Sequence, residues 1–453
     1  MPSGGTFFVT AGGGVTAAVS DVPDTTGILD EPGGTLRTMP VPGMDNDRYV
    51  PWGYDDQLPF ELVRLVGSDE VTAQNKLFNV ITCYGAGVRF RTAGERAGDT
   101  EAPAQLREAR EWAFRQSMPA YFLDQVTDMK YFFFSVAVLI LSRDGSRVNR
   151  IRHKEACYCR MAQADRRGHI PYVYYANWRD GQARAGGVER IPVLDERDPY
   201  GDLMRLMGRE AGRDGRKGKP GRGRKFAVLL RFPTAGCQYY PVPYWSAMLR
   251  GGSYDEKRLI STAKRAKLRN HTSVKYQVEV EQGYWAKICR EEFLTDPEQI
   301  RERVRREKEN IRDFIAGVEN SGKVWISSFF IDPNGREIHD VRITRIDTGK
   351  EGGDWDEDVQ AAANTICYAD NTHPNLVGAV PGKSQNNNSG SDKRELFTMK
   401  QALEIAFHDL LLLPLQLVAR YNGWTTVEPS VPMIQLTTLD EHRDAVQVSP
   451  ASE

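Results

Sequence analysis

A continuous apolar run at residues 131–142 (YFFFSVAVLILS) restricts the possible folds of this chain more than any other stretch. The run is rich in aromatic and β-branched side chains and carries no charge. A helix that spans a bilayer needs about 20 apolar residues, so this run is too short to cross a membrane. It instead predicts a β-strand that is covered on both faces inside a large domain.

The overall composition is that of a globular protein with more than one domain. The chain has 453 residues, of which 40% are hydrophobic and 27% are charged. This is enough to bury a large core and to form two or more domains. The 60 Lys and Arg residues are balanced by 61 Asp and Glu residues, which gives a net charge of −1. A freely diffusing nucleic-acid binder is usually basic, so this class is disfavoured, although segregated cationic patches remain possible.

The six cysteines are too few for a disulfide scaffold. Cys157 and Cys159 lie near His153, and on a strand the two thiols would share a face, so a metal site is conceivable. No second pair of ligands accompanies them, and reduced, mostly buried thiols are the preferred interpretation. We therefore expect no metal and no cofactor.

The first 250 residues divide into an arm and a domain. Residues 1–42 are rich in Gly, Pro, Thr and Asp, and we expect an extended arm. Residues 43–250 alternate helical and strand patterns, which predicts an α+β domain. Near its start, Ser68 is the expected cap of a helix through Cys83.

The apolar stripe predicted for that helix is formed by four side chains. These are Val71, Leu77, Phe78 and Ile81.

A basic insert at residues 208–225 (GREAGRDGRKGKPGRGRK) interrupts this domain. It contains eight basic residues, two acidic residues and six glycines. The composition is typical of a solvated loop, which either contacts a polyanion such as nucleic-acid phosphate or forms a charged hairpin tip. The candidate polyanion contacts are Arg213, Arg216, Lys217, Lys219, Arg222, Arg224 and Lys225.

Residues 254–271 are predicted to form a helix with two distinct faces. Residues 255–271 carry six basic and two acidic side chains. The apolar face contains Leu259, Ile260, Ala263 and Ala266. The cationic face contains Lys257, Arg258, Lys264, Arg265 and Arg269. This face either is simply solvated or meets an anionic surface.

A small α/β module is predicted at residues 272–346. It begins with an alternating strand pattern at 273–281 and continues with a charged amphipathic helix at 297–316. Residues 324–331 and 337–346 are expected to form a hairpin.

The last third of the chain is predicted to contain two helices separated by a loop. A helix is expected within 347–371, a polar loop at 372–392, and a long buried helix at 393–424. Pro414 lies inside the last helix and is expected to kink or divide it. Residues 425–453 form a short polar tail.

A search for catalytic motifs finds no convincing active site. Residues 378–384 (GAVPGKS) approach a phosphate-binding P-loop, but Val377 stands where that pattern needs glycine. The carboxylates of Asp354, Asp356, Glu357 and Asp358 could bind a divalent ion, as in nucleases, or simply favour a helix N-terminus.

The order of these features resembles that of portal proteins of tailed bacteriophages, over about residues 50–424. An early helix ends in a Gly-rich turn into a strand at 75–90 (NKLFNVITCYGAGVRF). A stem helix follows a Pro-Tyr-Trp entry at 243–245 and ends near an Asn at 270.

The second half of the chain continues the resemblance. A small module leads into a Gly-x-x-Asn-x-Gly-Lys stretch at 317–323, and a second stem helix runs into His-Pro-Asn-Leu-Val-Gly at 373–378. Two features depart from the family pattern. The chain ends soon after the last helix, and the insert at 208–225 has no counterpart that we can place.

The resemblance implies an α+β portal-like subunit with an α/β wing, a two-helix stem, a small α/β clip and a reduced or absent helical crown. The implied division is an arm (1–42), the wing (43–250), stem helix 1 (251–271), the clip (272–346), stem helix 2 (347–371), the tunnel loop (372–392), a long buried helix (393–424) and a tail (425–453).

The resemblance also implies a non-enzymatic role. Portal subunits form rings, usually of about twelve copies, at one capsid vertex of the virion, and double-stranded DNA passes through the channel without sequence-specific contacts. The implied partners are other copies of the chain, the terminase large subunit, a head–tail adaptor, and capsid or scaffold proteins, with no membrane and with assembly in the cytoplasm of the bacterial host.

The residues expected to line the channel belong to the stem and the tunnel loop. A ring of fully exposed cations would hold DNA too tightly for it to slide, because every neutralised phosphate strengthens binding. We therefore expect Lys257 and Lys264 to face the lumen, whereas Arg258, Arg265 and Arg269 pair with a neighbouring subunit. The tunnel-loop contacts are expected to be Lys383, Ser384, Gln385, Asn386, Asn387 and Asn388.

Two alternatives remain open from the sequence. One is a metal-dependent DNA-processing enzyme that uses the carboxylates of residues 354–358. The other is a different structural virion or neck protein.

Overall fold

The computed structural model describes the larger part of the chain. The described residues are 8–9, 15–16, 37–92, 102–166, 168–209, 223–270, 276–316, 329–331, 333, 337–345, 354–377 and 390–434. The chain divides into two compact units, one formed by residues 1–261 with 356–453 and the other by residues 262–355.

Helices and strands alternate along the chain, which confirms the predicted α+β class. The helices are α1 Leu58–Gly67, α2 Glu70–Tyr84, α3 Ala102–Arg115, α4 Met118–Phe132, α5 Pro199–Leu206, α6 Ala247–Arg250, α7 Ser253–Asn270, α8 Gln282–Glu291, α9 Pro297–Ala316, α10 Asp354–Ala369, α11 Pro374–Val377, α12 Gly390–Leu403 and α13 Ile405–Tyr421. The strands are β1 Phe8–Val9, β2 Val15–Thr16, β3 Met39–Val41, β4 Met44–Val50, β5 Arg89–Thr92, β6 Phe134–Leu141, β7 Val148–Lys154, β8 Cys159–Ala162, β9 Tyr172–Tyr175, β10 Glu189–Pro192, β11 Lys225–Arg231, β12 Tyr276–Val280, β13 Phe329–Ile331, β14 Glu337–His339, β15 Val341–Arg345 and β16 Val427–Ser430.

Strand β6 lies at the centre of the first unit and confirms most of the buried strand predicted at 131–142, although residues 131 and 132 belong to the end of α4. It pairs with β11 on one side and β7 on the other, both antiparallel. Phe134 and Val136 point into one hydrophobic cluster, whereas Ala137 and Leu139 point into a second cluster on the opposite face. Because successive side chains of a strand alternate between faces, only an unbroken apolar run can serve both clusters.

A second sheet in this unit has the strand order β10-β9-β8-β4-β3 and is antiparallel throughout. Arg160 on β8 is fully buried and donates through its Nε to the carboxylate of Asp56 at 2.5 Å. Asp56 also accepts the backbone N–H of Trp52 at 2.7 Å. This pair fixes the turn before α1 against the sheet.

The segment predicted as a polar tail begins with a strand. Residues Val427–Ser430 form β16, which pairs antiparallel with β5. The side chains of Val427 and Pro429 are buried, whereas Glu428 is exposed. The prediction missed this strand because only two of its four residues are apolar.

The second unit contains α8, α9 and two pairs of strands. The helix predicted at 297–316 is confirmed as α9. The predicted hairpin is only partly correct, because β13 pairs with β14 whereas β15 pairs with β12. The predicted clip range, 272–346, lies within this unit.

The long buried helix expected at 393–424 consists of two helices that meet at Glu404. Helices α12 and α13 are bent by 45° at this break. Pro414, where the kink or division was predicted, lies inside α13. The observed break lies ten residues earlier, at Glu404. Within the described residues, no single helix is long and apolar enough to span a bilayer, whereas this bent pair meets the criteria of length and composition when taken together.

Candidate channel helix and its buried anchors

The first turn of α7, the candidate channel helix, is fixed by a buried tyrosine. The Tyr254 ring is fully buried, and its hydroxyl donates to the backbone oxygen of Leu65 at 2.8 Å and lies 2.7 Å from Ser68 Oγ. The helix therefore starts against the corner between α1 and α2.

Lys257 is one turn further along α7 and is also buried. Its ammonium group pairs with the carboxylate of Asp69 and with Glu70 Oε1, the latter at 2.8 Å. The Lys257 side chain is only 3% exposed. Asp69 also caps α2 by accepting the backbone N–H of Thr72 at 2.8 Å. The expectation that Lys257 faces a lumen does not fit this geometry, because its charge is already neutralised inside the subunit.

The other predicted channel cations are less enclosed. Arg258 lies with its guanidinium 5.5 Å from the centre of the Tyr254 ring, and its Nη1 is buried without a hydrogen-bond partner among the described residues. Lys264 is half-buried and Arg265 is exposed. The side chain of Arg269 lies outside the described residues. On the apolar face, Leu259 is 45% exposed within the single chain.

Helix α2 only partly follows the burial that its sequence predicts, since Val71 of the predicted apolar stripe is buried. Its buried face carries the polar side chains of Thr72, Asn75, Lys76 and Asn79. Two residues of the predicted apolar stripe, Leu77 and Ile81, are more than half exposed. The spacing of the polar residues, i, i+3, i+4 and i+7, was the signal that could have identified this face.

Lys76 is the central group of this polar face. Its ammonium group donates to Asp370 Oδ1 at 2.6 Å and lies 3.7 Å from the centre of the Trp245 ring. Burial lowers the pKa of Lys76 to about 8. A buried charge is tolerated only with such partners, so this pair constrains the position of α2 relative to the end of α10.

Two amide side chains of α2 complete the contact with the last turn of α10 and the segment after it. Asn79 Nδ2 donates to the backbone oxygen of Asp370 at 2.9 Å and to Thr372 Oγ1 at 3.0 Å. Asn75 Nδ2 approaches the Cys367 sulfur at 3.5 Å. Helix α2 thus binds both α7 and α10, the two helices through which the chain enters and leaves the second compact unit.

A second buried cluster fixes the junction of α12 and α13. Glu404 pairs with Lys130 of α4 and with Lys400, the latter at 3.3 Å. Lys400 also donates to the backbone oxygen of Asn371 at 3.0 Å, and Lys130 lies 3.4 Å from the centre of the Phe407 ring. Burial lowers the pKa of Lys400. Glu404 is therefore held in a buried position between the end of α12 and the start of α13.

These two clusters flank the predicted tunnel loop on both sides in the sequence. Asp370 precedes it, Thr372 is its first residue, and Lys400 and Glu404 follow it. Residues 378–389, which include the six predicted tunnel-loop contacts, lie outside the described residues. The glycine-rich stretch that approaches a P-loop lies there as well.

Only two of the seven predicted polyanion contacts can be located. Arg224 is exposed, and Lys225 is exposed but donates to Glu189 Oε1 at 2.7 Å. The other five fall within residues 210–222, outside the described residues.

The first candidate metal cluster of the sequence lies beside Asp128. His153 Nε2 lies 2.6 Å from Asp128 Oδ2, Cys159 is buried, and burial raises the pKa of the Cys157 thiol to about 12. Residues 354–358 fall at the start of α10, and the side chains of Asp354 and Asp356 lie outside the described residues. Among the described residues, no group of three or more potential ligands could hold a metal ion.

No protein-family model and no curated protein matches this sequence. Several solved structures match the fold. A chain in the neck of an empty gene transfer agent particle, computed with C6 symmetry, is similar with a TM-score of 0.50 and 13% identity, covering 82% of this chain and 83% of that one. A chain in the virion of the native gene transfer agent particle gives a TM-score of 0.50 and 11% identity with the same coverage.

A portal protein of the HK97 phage family from Corynebacterium diphtheriae is also similar, with a TM-score of 0.32, 13% identity and coverage of 81% of this chain and 93% of that one. The two gene transfer agent chains share the fold of this chain over 82% of its length. The α+β fold expected from the sequence is confirmed.

Proposed function

We propose that this chain is the portal subunit of a phage or phage-like particle. In this proposal the subunits form a ring of about twelve copies at one capsid vertex, and double-stranded DNA passes through its channel during packaging and ejection. The observation that carries the proposal is the shared fold with a chain in a particle neck over 82% of the present chain. The sixfold symmetry used for that neck is compatible with a twelve-membered ring.

The electrostatics of α7 fit a channel through which DNA must slide. Each lysine that contacts a phosphate releases counterions and strengthens binding, and a ring multiplies the effect. With Lys257 neutralised by Asp69 and Glu70, each subunit offers fewer free cations than its sequence suggests. We propose that Lys264 faces the lumen and that Arg258, Arg265 and Arg269 pair with carboxylates of a neighbouring subunit.

Residues 383–388 are proposed to contact DNA without binding it tightly, because a single lysine is followed by the neutral residues Ser, Gln and three Asn. The buried pairs at Asp370 and Glu404 would hold the two flanks of this segment. The terminase large subunit is proposed to dock on residues 272–346. A head–tail adaptor and capsid or scaffold proteins would contact the remaining surface of the assembled ring in the virion.

Mass photometry of the purified protein, supported by negative-stain images, tests the ring. We expect particles of about twelve copies with a central hole. A protein that stays monomeric or dimeric at high concentration and with scaffold protein present would overturn the proposal. The enzyme alternative would then be tested by assaying nuclease activity with Mg²⁺ in the wild type and in Asp356→Asn.

Charge reversal at Lys264 tests the channel assignment. Rings of Lys264→Glu should assemble normally but retain less packaged DNA, because each subunit exchanges an attraction for a repulsion at the lumen. Failure of the variant to form rings would show that Lys264 lies in a subunit contact. Deletion of residues 383–391 should likewise leave assembly intact and impair packaging or retention.

A further inference from the structure

Helix α12 exposes apolar side chains on the face opposite its buried polar groups. Met399 and Leu403 are 64% and 57% exposed, and Ala402 between them is exposed as well. Residues at i, i+3 and i+4 share one face of a helix, so these three form a continuous apolar surface. Beyond the buried Glu404, the half-exposed Ile405 extends it to the start of α13. This surface, the α12 apolar face, is typical of a surface that another polypeptide segment covers.

The chain itself is anchored at the edge of the α12 apolar face. After β16 ends at Ser430, the described chain continues to Ile434. The Ile434 N–H donates to Gln401 Oε1 at 2.7 Å, and Gln401 Nε2 donates to the backbone oxygen of Ile434 at 2.8 Å. Around the helix axis, the exposed Thr398 lies about 60° from Gln401, and Ala402 lies about 100° from it. The residues that follow Ile434 therefore start beside this face.

The sequence after this anchor contains apolar side chains within reach of the face. Residues 435–448 read QLTTLDEHRDAVQV. An extended chain covers at most about 3.5 Å per residue, which allows Leu436 to lie up to about 7 Å and Leu439 up to about 17 Å from Ile434. A helix with its side chains is about 10–12 Å wide. The segment is therefore long enough to cross the α12 apolar face without any movement of the helix.

The charges of the segment and of α12 are complementary. Residues 435–453 contain four acidic residues against one arginine and one histidine. The acidic residues are Asp440, Glu441, Asp444 and Glu453. Near its start α12 carries the exposed Lys393 and the half-buried Arg394 beside the exposed Glu395, and the N-terminal end of a helix favours negative charge. The leucines of the segment precede its acidic residues, which is the order needed if the segment runs from the anchor towards the start of α12.

We propose that residues 435–448 dock on the α12 apolar face of their own chain. The two leucines pack against Met399 and Leu403. Asp440 pairs with Lys393 near the start of the helix. The glutamine anchor favours the same chain over a second copy, because a segment tethered this closely has an effective concentration of roughly millimolar. The docked segment holds the helix that follows the predicted tunnel loop, and the proposal does not depend on ring formation or on the proposed portal function.

Disulfide trapping in the full-length chain tests the docking. Met399→Cys is combined with Leu439→Cys, the protein is oxidised with diamide, and the linked peptides are quantified by mass spectrometry. The matched control combines Leu439→Cys with Arg89→Cys, an exposed position that pairs with Ser430, four residues before the anchor at Ile434. A disulfide needs Cα atoms within about 7 Å, so we expect at least about tenfold more of the 399–439 link than of the 89–439 link.

The size of the linked product identifies the occupant of the face. On a non-reducing gel, the 399–439 link should run at the mass of a single chain. A link that joins two chains would show that a second copy covers the face and would overturn the proposal. Equal yields of the 399–439 and 89–439 links would show that the segment does not dock.

A charge placed among the docked leucines tests the apolar contact itself. Adding Leu436→Asp to the 399–439 cysteine pair should lower the yield of the link by about tenfold, because a carboxylate would then face apolar side chains. Ser449→Asp adds the same charge outside the docked range and should leave the yield unchanged. Thermal melting checks that all variants are folded. An unchanged yield in the Leu436→Asp variant would refute the packing of the leucines on α12.

Discussion

Lys257 and Lys264 occupy nearly the same face of one helix, yet their environments differ. They are seven residues apart, which is almost two full helical turns. Lys257 is buried and paired with Asp69 and Glu70 at the start of α2, whereas Lys264 is half-buried. A helical pattern thus gives the direction of a side chain, but a neighbouring element determines how deeply that side chain is buried. We therefore propose Lys264, and not Lys257, as the cation that faces the channel.

The largest expected change in stability follows from removing the buried ammonium group of Lys76. Lys76→Met should lower the free energy of unfolding by about 3–5 kcal/mol, because it leaves Asp370 buried without its cation. Urea denaturation measures this change. The double variant Lys76→Met/Asp370→Leu should recover most of the loss. As a matched control, Arg115→Met breaks the exposed pair with Glu111 and should cost at most about 1 kcal/mol. Similar costs for both single variants would contradict the structural role of the buried pair.

A direct comparison of the two α7 lysines should give a smaller but clear difference. Lys257→Met should cost about 2–4 kcal/mol, because Asp69 stays buried although it keeps its bonds to Thr72. Lys264→Met should change the free energy of unfolding by less than about 1 kcal/mol. Both variants make the same Lys→Met change on the same helix, so they differ only in the surroundings of the side chain. Equal unfolding midpoints would mean that Lys257 is not held as described.

The same contrast shows what the sequence could reveal. Strand β6 was predictable because its burial requires an unbroken apolar run, and α9 was predictable because its amphipathic pattern is local. The polar face of α2 was visible as a local spacing, but its burial was not predictable, because Lys76 and the partner that neutralises it, Asp370, are 294 residues apart. The buried position of Glu404 at the break between α12 and α13 was also missed, since its partner Lys130 is 274 residues away. A local rule pointed to Pro414 instead.

The pH dependence of stability should report the environment of Lys76. Burial lowers the pKa of Lys76 from 10.5 to about 8. The nearby charges of Lys130 and Lys400 lower this pKa further, whereas the attraction of Asp370 opposes the shift. Between these values the unfolded chain binds a proton that the folded chain has released, so the contribution of Lys76 to stability rises with pH. The difference in stability between the wild type and Lys76→Met should therefore widen from pH 7.5 to 9.5. A difference that narrows over this range would show that the pKa of Lys76 is not lowered.

The smallest expected effect concerns DNA and separates Lys264 from its neighbour Arg265. If Lys264 faces the lumen, Lys264→Gln should weaken the binding of duplex DNA to purified rings. It should also reduce the slope of the logarithm of the DNA association constant against the logarithm of the salt concentration, by about one unit for each lysine that contacts a phosphate. If Arg265 pairs with an adjacent subunit, Arg265→Gln should leave this slope unchanged and instead lower the stability of the ring. The two residues are adjacent on α7 and point about 100° apart, so the variants resolve which face of the helix meets DNA. The opposite pattern would assign the lumen to Arg265 and the subunit contact to Lys264. Identical salt slopes in both variants and the wild type would show that α7 does not line the channel.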